Sequence, residues 1–259
     1  MVWRGEQGRS RPRPPLRRQA GKCVAPGRLP ARRRIYAIGD VHGCARQLAR
    51  LHGMIAEHLA ANPVETAELV HLGDYMDRGP DSAGVVAMLS GQSPVIGTRA
   101  VYLMGNHERT MLDALAGDGA AAADWLFNGG REALASWGLD PSASRASWRH
   151  GVPAPSQAWL GGLALSYRAG DYLFAHAGVR PDVSLDRQTA DDLVHIRQVF
   201  LGSDVDFGAI VVHGHTVKWE PVVRPNRIGI DTGAVFGGAL TCVVLEGDTM
   251  EFLQVEGHR

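Results

Sequence analysis

Cysteine is scarce in this chain. Three fall among 259 residues, at positions 23, 44 and 242, far apart and without a C-x-x-C pair. That excludes a disulfide framework, and it fits reduced thiols in a cytoplasmic protein. Long apolar runs are missing too. No stretch could span a bilayer, and the N-terminal segment lacks the apolar core of a signal peptide, so no membrane partner is expected. Net charge is zero, but the balance is uneven. Residues 1–34 hold eleven of the 27 basic residues and a single acid, Glu6, a segment of about +10 joined to a body of about −10. This segment is rich in arginine and proline and poor in apolar residues, so residues 1–34 are expected to be disordered. A basic arm for nucleic acid would be interleaved with aromatics or carried on a folded surface. Neither sign is present, and nucleic acid is not the expected partner.

What is present begins at residue 34. "RIYAIGD" (34–40) is a short β-rich run ending in Gly-Asp, followed by helical spacing through Leu48, Leu51, Ile55 and Leu59. "ELVHLGD" (68–74) is a second strand. Pro80 and the capping residues Asp81 and Ser82 then open a helix through Val85, Val86 and Leu89. "AVYLMGN" (100–106) is a third strand, with a helix through Met111, Leu112 and Leu115. This β-α-β-α-β alternation predicts an α/β fold with a parallel sheet and right-handed crossovers.

Ligands of such sheets bind outside the carboxyl ends of the strands. All three strands end in glycine followed by a metal-competent side chain: "GDVHG" (39–43), "GDYMDRG" (73–79) and "GNHE" (105–108). Asp40, His42, Asp74, Asn106 and His107 should therefore converge. Two later apolar strands, "DYLFAHAG" (171–178) and "AIVVHGHT" (209–216), end in histidine beside glycine, adding His176 and one of His213 and His215. Oxygen and imidazole donors without thiolate suit Mn²⁺, Fe or Zn²⁺. Six ligands, one of them a carboxylate able to bridge, are too many for one ion and enough for two. Two such ions form the clamp that hydrolyses phosphate esters, generating hydroxide at neutral pH and neutralising phosphoryl oxygens.

The ordered set GD-V-HG, GD-YM-DRG, GNHE, HAG and GHT resembles the phosphoprotein phosphatase family of metallophosphoesterases, its bacterial serine/threonine branch in particular, from about Arg34 to the C-terminus. The resemblance implies two packed mixed β-sheets flanked by helices, the calcineurin-like fold, over residues 35–259. The strands after Arg227, with a hairpin across Gly247-Asp248, would supply the second sheet. It implies two divalent ions, manganese first and iron or zinc as alternatives. Asp40 and His42 would hold one ion, Asp74 would bridge, and Asn106, His176 and His215 would hold the other, His215 being preferred to His213 by its place in the last motif. His107 would be the general acid oriented by Asp77, with direct attack on phosphorus by hydroxide held between the metals. Arg78, Arg197 and Asn106 would bind the phosphate, Arg197 on a weaker match because His195 stands where the family often has an aromatic residue.

Several residues are read more plainly. His71 is a core histidine. Glu108 either orients the third loop or caps the helix after it, and the structural role is preferred. Between 117 and 167 a helical insertion holds Trp125, Trp137, Trp148 and Trp159, expected mainly to pack that insertion beside the cleft. Asp231 and Phe236 are expected to border the cleft.

The expected substrate is a phosphorylated protein or peptide, with phosphoserine and phosphothreonine hydrolysed as monoesters. The alternative is a symmetrical diadenosine tetraphosphate hydrolase. It is disfavoured because tyrosine and phenylalanine are few near the motifs and the body is acidic. A more remote alternative is nucleic-acid binding through the basic segment.

Overall fold

Alternation along one strand decides how the layers stack. In "RRIYAI" (33–38), Ile35 and Ala37 face one way and Tyr36 and Ile38 the other, and all four are fully buried. A strand buried on both faces needs a covering layer on each side, here helices on one and a second sheet on the other. The structure, a computed structural model, describes residues 21–257 and has both layers. The expectation of disorder falls largely on residues 1–20, which lie outside the described residues.

The first sheet contains β1 (Cys23–Val24), β2 (Arg33–Ile38), β3 (Thr66–His71) and β4 (Thr98–Tyr102), with the hairpin strands β10 (Leu240–Glu246) and β11 (Thr249–Val255) inserted between β1 and β2. Its order is β1-β11-β10-β2-β3-β4, with β2, β3 and β4 parallel. The helices α1 (Ala45–Ala61), α2 (Ser82–Leu89) and α3 (Asn106–Ala116) follow β2, β3 and β4. Asp81 caps α2 by accepting the Gly84 amide at 2.8 Å. The chain then runs through α4 (Gly119–Trp125), a π-turn at Leu126–Gly130, α5 (Arg131–Ser136), α6 (Arg145–Gly151) and α7 (Ala154–Gly161). The second sheet has the order β5-β6-β7-β9-β8, built from β5 (Ser166–Ala169), β6 (Tyr172–Ala175), β7 (Ile210–His213), β8 (Val222–Arg224) and β9 (Arg227–Gly229). Between β6 and β7 lie α8 (Ala190–His195) and α9 (Gln198–Leu201).

Tyr36, Ile38 and Leu69 meet α1 through Leu48, Leu51 and Ile55. Ile35, Ala37 and Val70 meet Phe174, Val212 and Ile228 of the second sheet. The result is the α/β sandwich of two mixed sheets with helices outside.

Two expectations change. The C-terminal hairpin does turn at Gly247-Asp248, but it joins the first sheet: β10 pairs antiparallel with β2, Val243 opposite Ala37. Strand periodicity specifies a strand and its faces, not its neighbour. The boundary at residue 34 is also too late. Val24 pairs with Thr249, Ala25 and Leu29 are buried, and Arg33 and Arg34 lie within β2. Arg33 donates to Glu68 at 2.6 and 2.9 Å, and Arg34 donates to Glu246 at 2.9 Å. These arginines hold the sheet together, so they do not belong to a solvated arm. Among the described residues, no helix is long and apolar enough to cross a membrane.

Candidate metal centre

Parallel strands deliver their carboxyl ends to one edge, and here both sheets do so at the same place. Asp40 and His42 follow β2; Asp74, Asp77 and Arg78 follow β3; Asn106 and His107 open α3; His176 follows β6 and His215 follows β7. Asp74 lies at the centre. His42 Nε2 is 3.4 Å from one of its oxygens and His176 Nε2 is 3.4 Å from the other, with His107 Nε2 at 4.0 Å. Asn106 Oδ1 lies 3.1 Å from His176 Nε2. The backbone N–H of His215 donates to the Asp40 carboxylate at 3.0 Å. Two groups of donors thus share one aspartate: His42, Asp74 and His107, and Asp74, His176 and His215.

The backbone is strained where these side chains are aimed. Seven non-glycine residues among those described have positive φ, and five of them are His42, Asp74, Asp77, Arg78 and His215. Such conformations cost about 1–3 kcal/mol each and persist where the surroundings over-determine them. Gly214 shows how tight the packing is, since a Cβ there would come within 1.9 Å of Asp40 Oδ1.

The donors fit a pair of divalent ions. His42 Nδ1–H donates to the Met76 carbonyl at 2.8 Å and His176 Nδ1–H to the Leu72 carbonyl at 2.9 Å. Each bond fixes the tautomer that leaves Nε2 free to coordinate, the usual support of a metal-bound imidazole. His215 Nε2 is buried with no hydrogen-bond partner. Burial holds His42 neutral, its pKa lowered to about 3, and does the same for His215, lowered to about 2. Asp40 is pushed the other way, well above the usual carboxylate range, by burial and by the charges of Asp231 and Asp74. Buried carboxylates crowded beside neutral imidazoles call for cations.

A second layer holds this arrangement. His107 Nδ1 is 2.7 Å from Asp77 Oδ2, and both residues are buried. Burial alone would lower the His107 pKa, but Asp74 and Asp77 outweigh it and raise it. The Trp125 indole N–H donates to both Asp77 oxygens, at 2.9 and 3.0 Å. One tryptophan of the insertion therefore reaches the His–Asp pair, which the packing role expected for these residues did not include. Glu108 is fully buried and accepts the amides of Asp74 and Tyr75 at 2.8 Å and of Gly105 at 3.0 Å. It binds the Asp74 loop to the start of α3. The sequence preference for a structural Glu108 understated this contact with the β3 loop. Burial and the charge of Asp74 raise its pKa to about 7.

Arg78 donates to His42 Nε2 at 2.7 Å and lies 5.8 Å over the Phe236 ring. Arg197 stands further out. It is exposed and makes no side-chain hydrogen bond or ion pair among the described residues, although its charge contributes to the low pKa of His215. His213 is buried against Phe200, away from the two donor groups. His71 is buried in the core as expected, but only Nε2 is bonded, to His52 at 3.1 Å, and Nδ1 has no partner. Beside Arg78 opens a broad cleft of about 760 Å³ lined by Phe127, Asn128, Arg131 and Phe236. Phe127 and Phe236 are 87% and 54% exposed. The scarcity of aromatics near the motifs does not hold in space, because residues distant in sequence fold toward Arg78.

The calcineurin-like phosphoesterase pattern matches residues 33–237, the span that carries all of these side chains. The chain belongs to the calcineurin-like phosphoesterase family. Within it, the chain is 30% identical over 220 residues to serine/threonine-protein phosphatase 1 of Salmonella typhimurium, covering 81% of this chain and 90% of the relative. It is 29% identical over 232 residues to the asymmetrical bis(5'-nucleosyl)-tetraphosphatase PrpE of Anoxybacillus flavithermus, covering 80% and 88%. Its fold is similar to that of a cold-active protein-tyrosine phosphatase from a psychrophilic Shewanella, with a TM-score of 0.57, 16% identity, and coverage of 89% and 83%. Family membership and the two donor groups sharing Asp74 make the chain a dinuclear-metal phosphoesterase.

Proposed function

We propose that this phosphoesterase hydrolyses phosphate monoesters, with phosphoserine and phosphothreonine of proteins or peptides as substrates. The observation that carries this reading is the buried His107–Asp77 pair, 2.7 Å apart and beside Asp74. An alkoxide leaving group needs a proton in the transition state, whereas the phosphate released from an anhydride needs one far less. Asp77 accepts the Nδ1–H of His107, which leaves the Nε2 proton directed at the leaving oxygen. Trp125 keeps the Asp77 carboxylate in line for that task. Asp40 and His42 would hold one ion, Asn106, His176 and His215 the other, and Asp74 both. When bound, the two ions, manganese first, neutralise phosphoryl charge and make water a nucleophile at neutral pH. With His42 Nε2 engaged as a ligand, the planar fork of Arg78 is freed to grip phosphoryl oxygens. Arg197 and Asn106 assist, Arg197 from the rim. The similarity to a serine/threonine phosphatase supports this choice.

A second reading has its own observation. Phe127 and Phe236, exposed in the cleft that Arg78 lines, offer faces on which a nucleobase could stack. That favours dinucleoside tetraphosphate hydrolysis, the activity named for another relative. Rates on one manganese-loaded preparation decide between them. The ester reading expects kcat/KM for a phosphoserine peptide to exceed that for diadenosine tetraphosphate at least tenfold. The reverse ratio would overturn it, and the nucleotide products would then distinguish symmetrical from asymmetrical cleavage.

A further inference from the structure

Outside the metal centre, a second cavity lies over the outer face of the second sheet, between α9 and the β8–β9 hairpin. Its volume is about 300 Å³, at the small end of ligand pockets. Its floor includes His213, which is 3% exposed. The imidazole Nδ1–H donates to the Gly214 carbonyl at 3.1 Å, so Nε2 carries a lone pair, and it has no hydrogen-bond partner. A buried imidazole nitrogen left unpaired is costly, so its presence at a cavity wall points to something that binds it. Gly229 leaves that nitrogen uncovered, since a Cβ there would come to 3.0 Å from both Cε1 and Nε2 of His213.

The walls are cationic. Lys218, Arg224 and Arg227 line the cavity, against one acid, Asp231. Arg227 is 4% exposed and forms no ion pair among the described residues; its guanidinium donates to the Ser203 carbonyl and Asn226 Oδ1, both at 2.9 Å, and to the Leu201 carbonyl, and it lies 5.8 Å over Phe200. Burial and the neighbouring charge of Arg224 both lower its pKa, so the two arginines repel each other across the site. Arg224 has only a loose pairing, 3.9 Å from Asp204. Lys218 is exposed, with its backbone N–H anchored on the Asp231 carbonyl at 3.0 Å and no partner for its ammonium among the described residues. Thr216 adds a hydroxyl. Among the lining residues three cations face one carboxylate, a surplus of about two charges that Asp204, exposed and 3.9 Å from Arg224, offsets only in part, so the cavity favours an anion.

We propose that this cavity is a second oxyanion site, separate from the metal centre, that takes hydrogenphosphate, its charged oxygens facing Lys218, Arg224 and Arg227 and its P–OH donating to His213 Nε2. The site does not depend on which phosphate ester the metal centre hydrolyses.

Equilibrium dialysis of metal-loaded, full-length protein against labelled orthophosphate tests it. Two phosphates per chain are expected. Lys218→Glu and Arg224→Glu, both at exposed positions that tolerate substitution, should each weaken one of the two by about tenfold or more, as loss of a charge-assisted hydrogen bond does. Arg78→Ala should weaken the other. A single phosphate per chain, or a second phosphate retained at full affinity in both charge-reversed variants, would overturn the proposal. Displacement of that second phosphate by succinate at a tenfold lower concentration than by unlabelled phosphate would overturn the choice of phosphate over carboxylate.

Discussion

Substitution of Trp125 by phenylalanine isolates the contact between the insertion and the His–Asp pair. The indole N–H is shared between both oxygens of Asp77, at 2.9 and 3.0 Å, and Asp77 in turn meets His107 Nδ1 at 2.7 Å. Phenylalanine fills most of the ring volume but cannot donate. A hydrogen bond to a charged group is worth about 1.5–3 kcal/mol, so full loss of its effect on the transition state would slow turnover by about 10- to 100-fold. The loss should appear in kcat with an alkyl phosphate, where the proposed role of His107 has it protonate the leaving oxygen. With nitrophenyl phosphate, whose leaving group needs no such help, it should be less than about threefold. Metal content by elemental analysis should stay near that of the native protein. Trp148 provides the baseline: its ring is 6.0 Å from Trp125, yet its N–H donates to the Asp140 carbonyl, so Trp148→Phe disturbs the same packing without touching Asp77. Equal losses on both substrates, or equal losses in the two variants, would refute the reasoning and return Trp125 to a packing role.

Glu108→Gln keeps the shape but loses one of the acceptors serving the Asp74, Tyr75 and Gly105 amides; it should cost about 1–3 kcal/mol in urea unfolding and weaken metal retention, and unchanged metal content would show that Glu108 only steadies α3. Burial lowers the His52 pKa to about 4, so the folded chain keeps this imidazole neutral while the unfolded chain takes up a proton below about 6.5. Its contribution is intact above pH 6.5 and falls by up to about 3 kcal/mol as pH drops to 4; His52→Gln should flatten the fall measured by denaturant titration, and an identical pH slope in the variant would contradict this. Removal of residues 1–34 should cost about 3 kcal/mol or more, because it uncovers the surface under Leu29 and leaves Glu68 and Glu246 without Arg33 and Arg34; an unchanged unfolding midpoint would restore a boundary at residue 34.

The parallel half of the first sheet was legible because three short apolar strands each stop at a glycine followed by Asp or Asn, and a chain that must turn sharply at a sheet edge writes that need locally. The convergence of Asp40, His42, Asp74, Asn106 and His107 follows from the same punctuation. What could not be read depends on partners far apart in sequence. Nothing in "ALTCVVLEG" says that Val243 will face Ala37, so the hairpin was placed in the wrong sheet. Arginine and proline around Leu29 hid a fully buried side chain that helps tie this segment to the domain. Trp125 sits 48 residues beyond Asp77, and Phe127 and Phe236 are more than a hundred residues apart, so only the fold brings them to the site. Glu108 left a local sign, its place two residues after Asn106, but its bonds to the amides of Asp74 and Tyr75 cross from one strand end to another.

The central claim is that one aspartate, Asp74, serves two metal ions on which hydrolysis depends. Elemental analysis paired with phosphate-ester turnover, in native protein and Asp74→Asn, tests it most directly. Two divalent ions per chain are predicted in the native protein, with chelation abolishing turnover and Asp74→Asn weakening both sites together. Full turnover in protein shown to be metal-free, or two ions retained by Asp74→Asn, would contradict it.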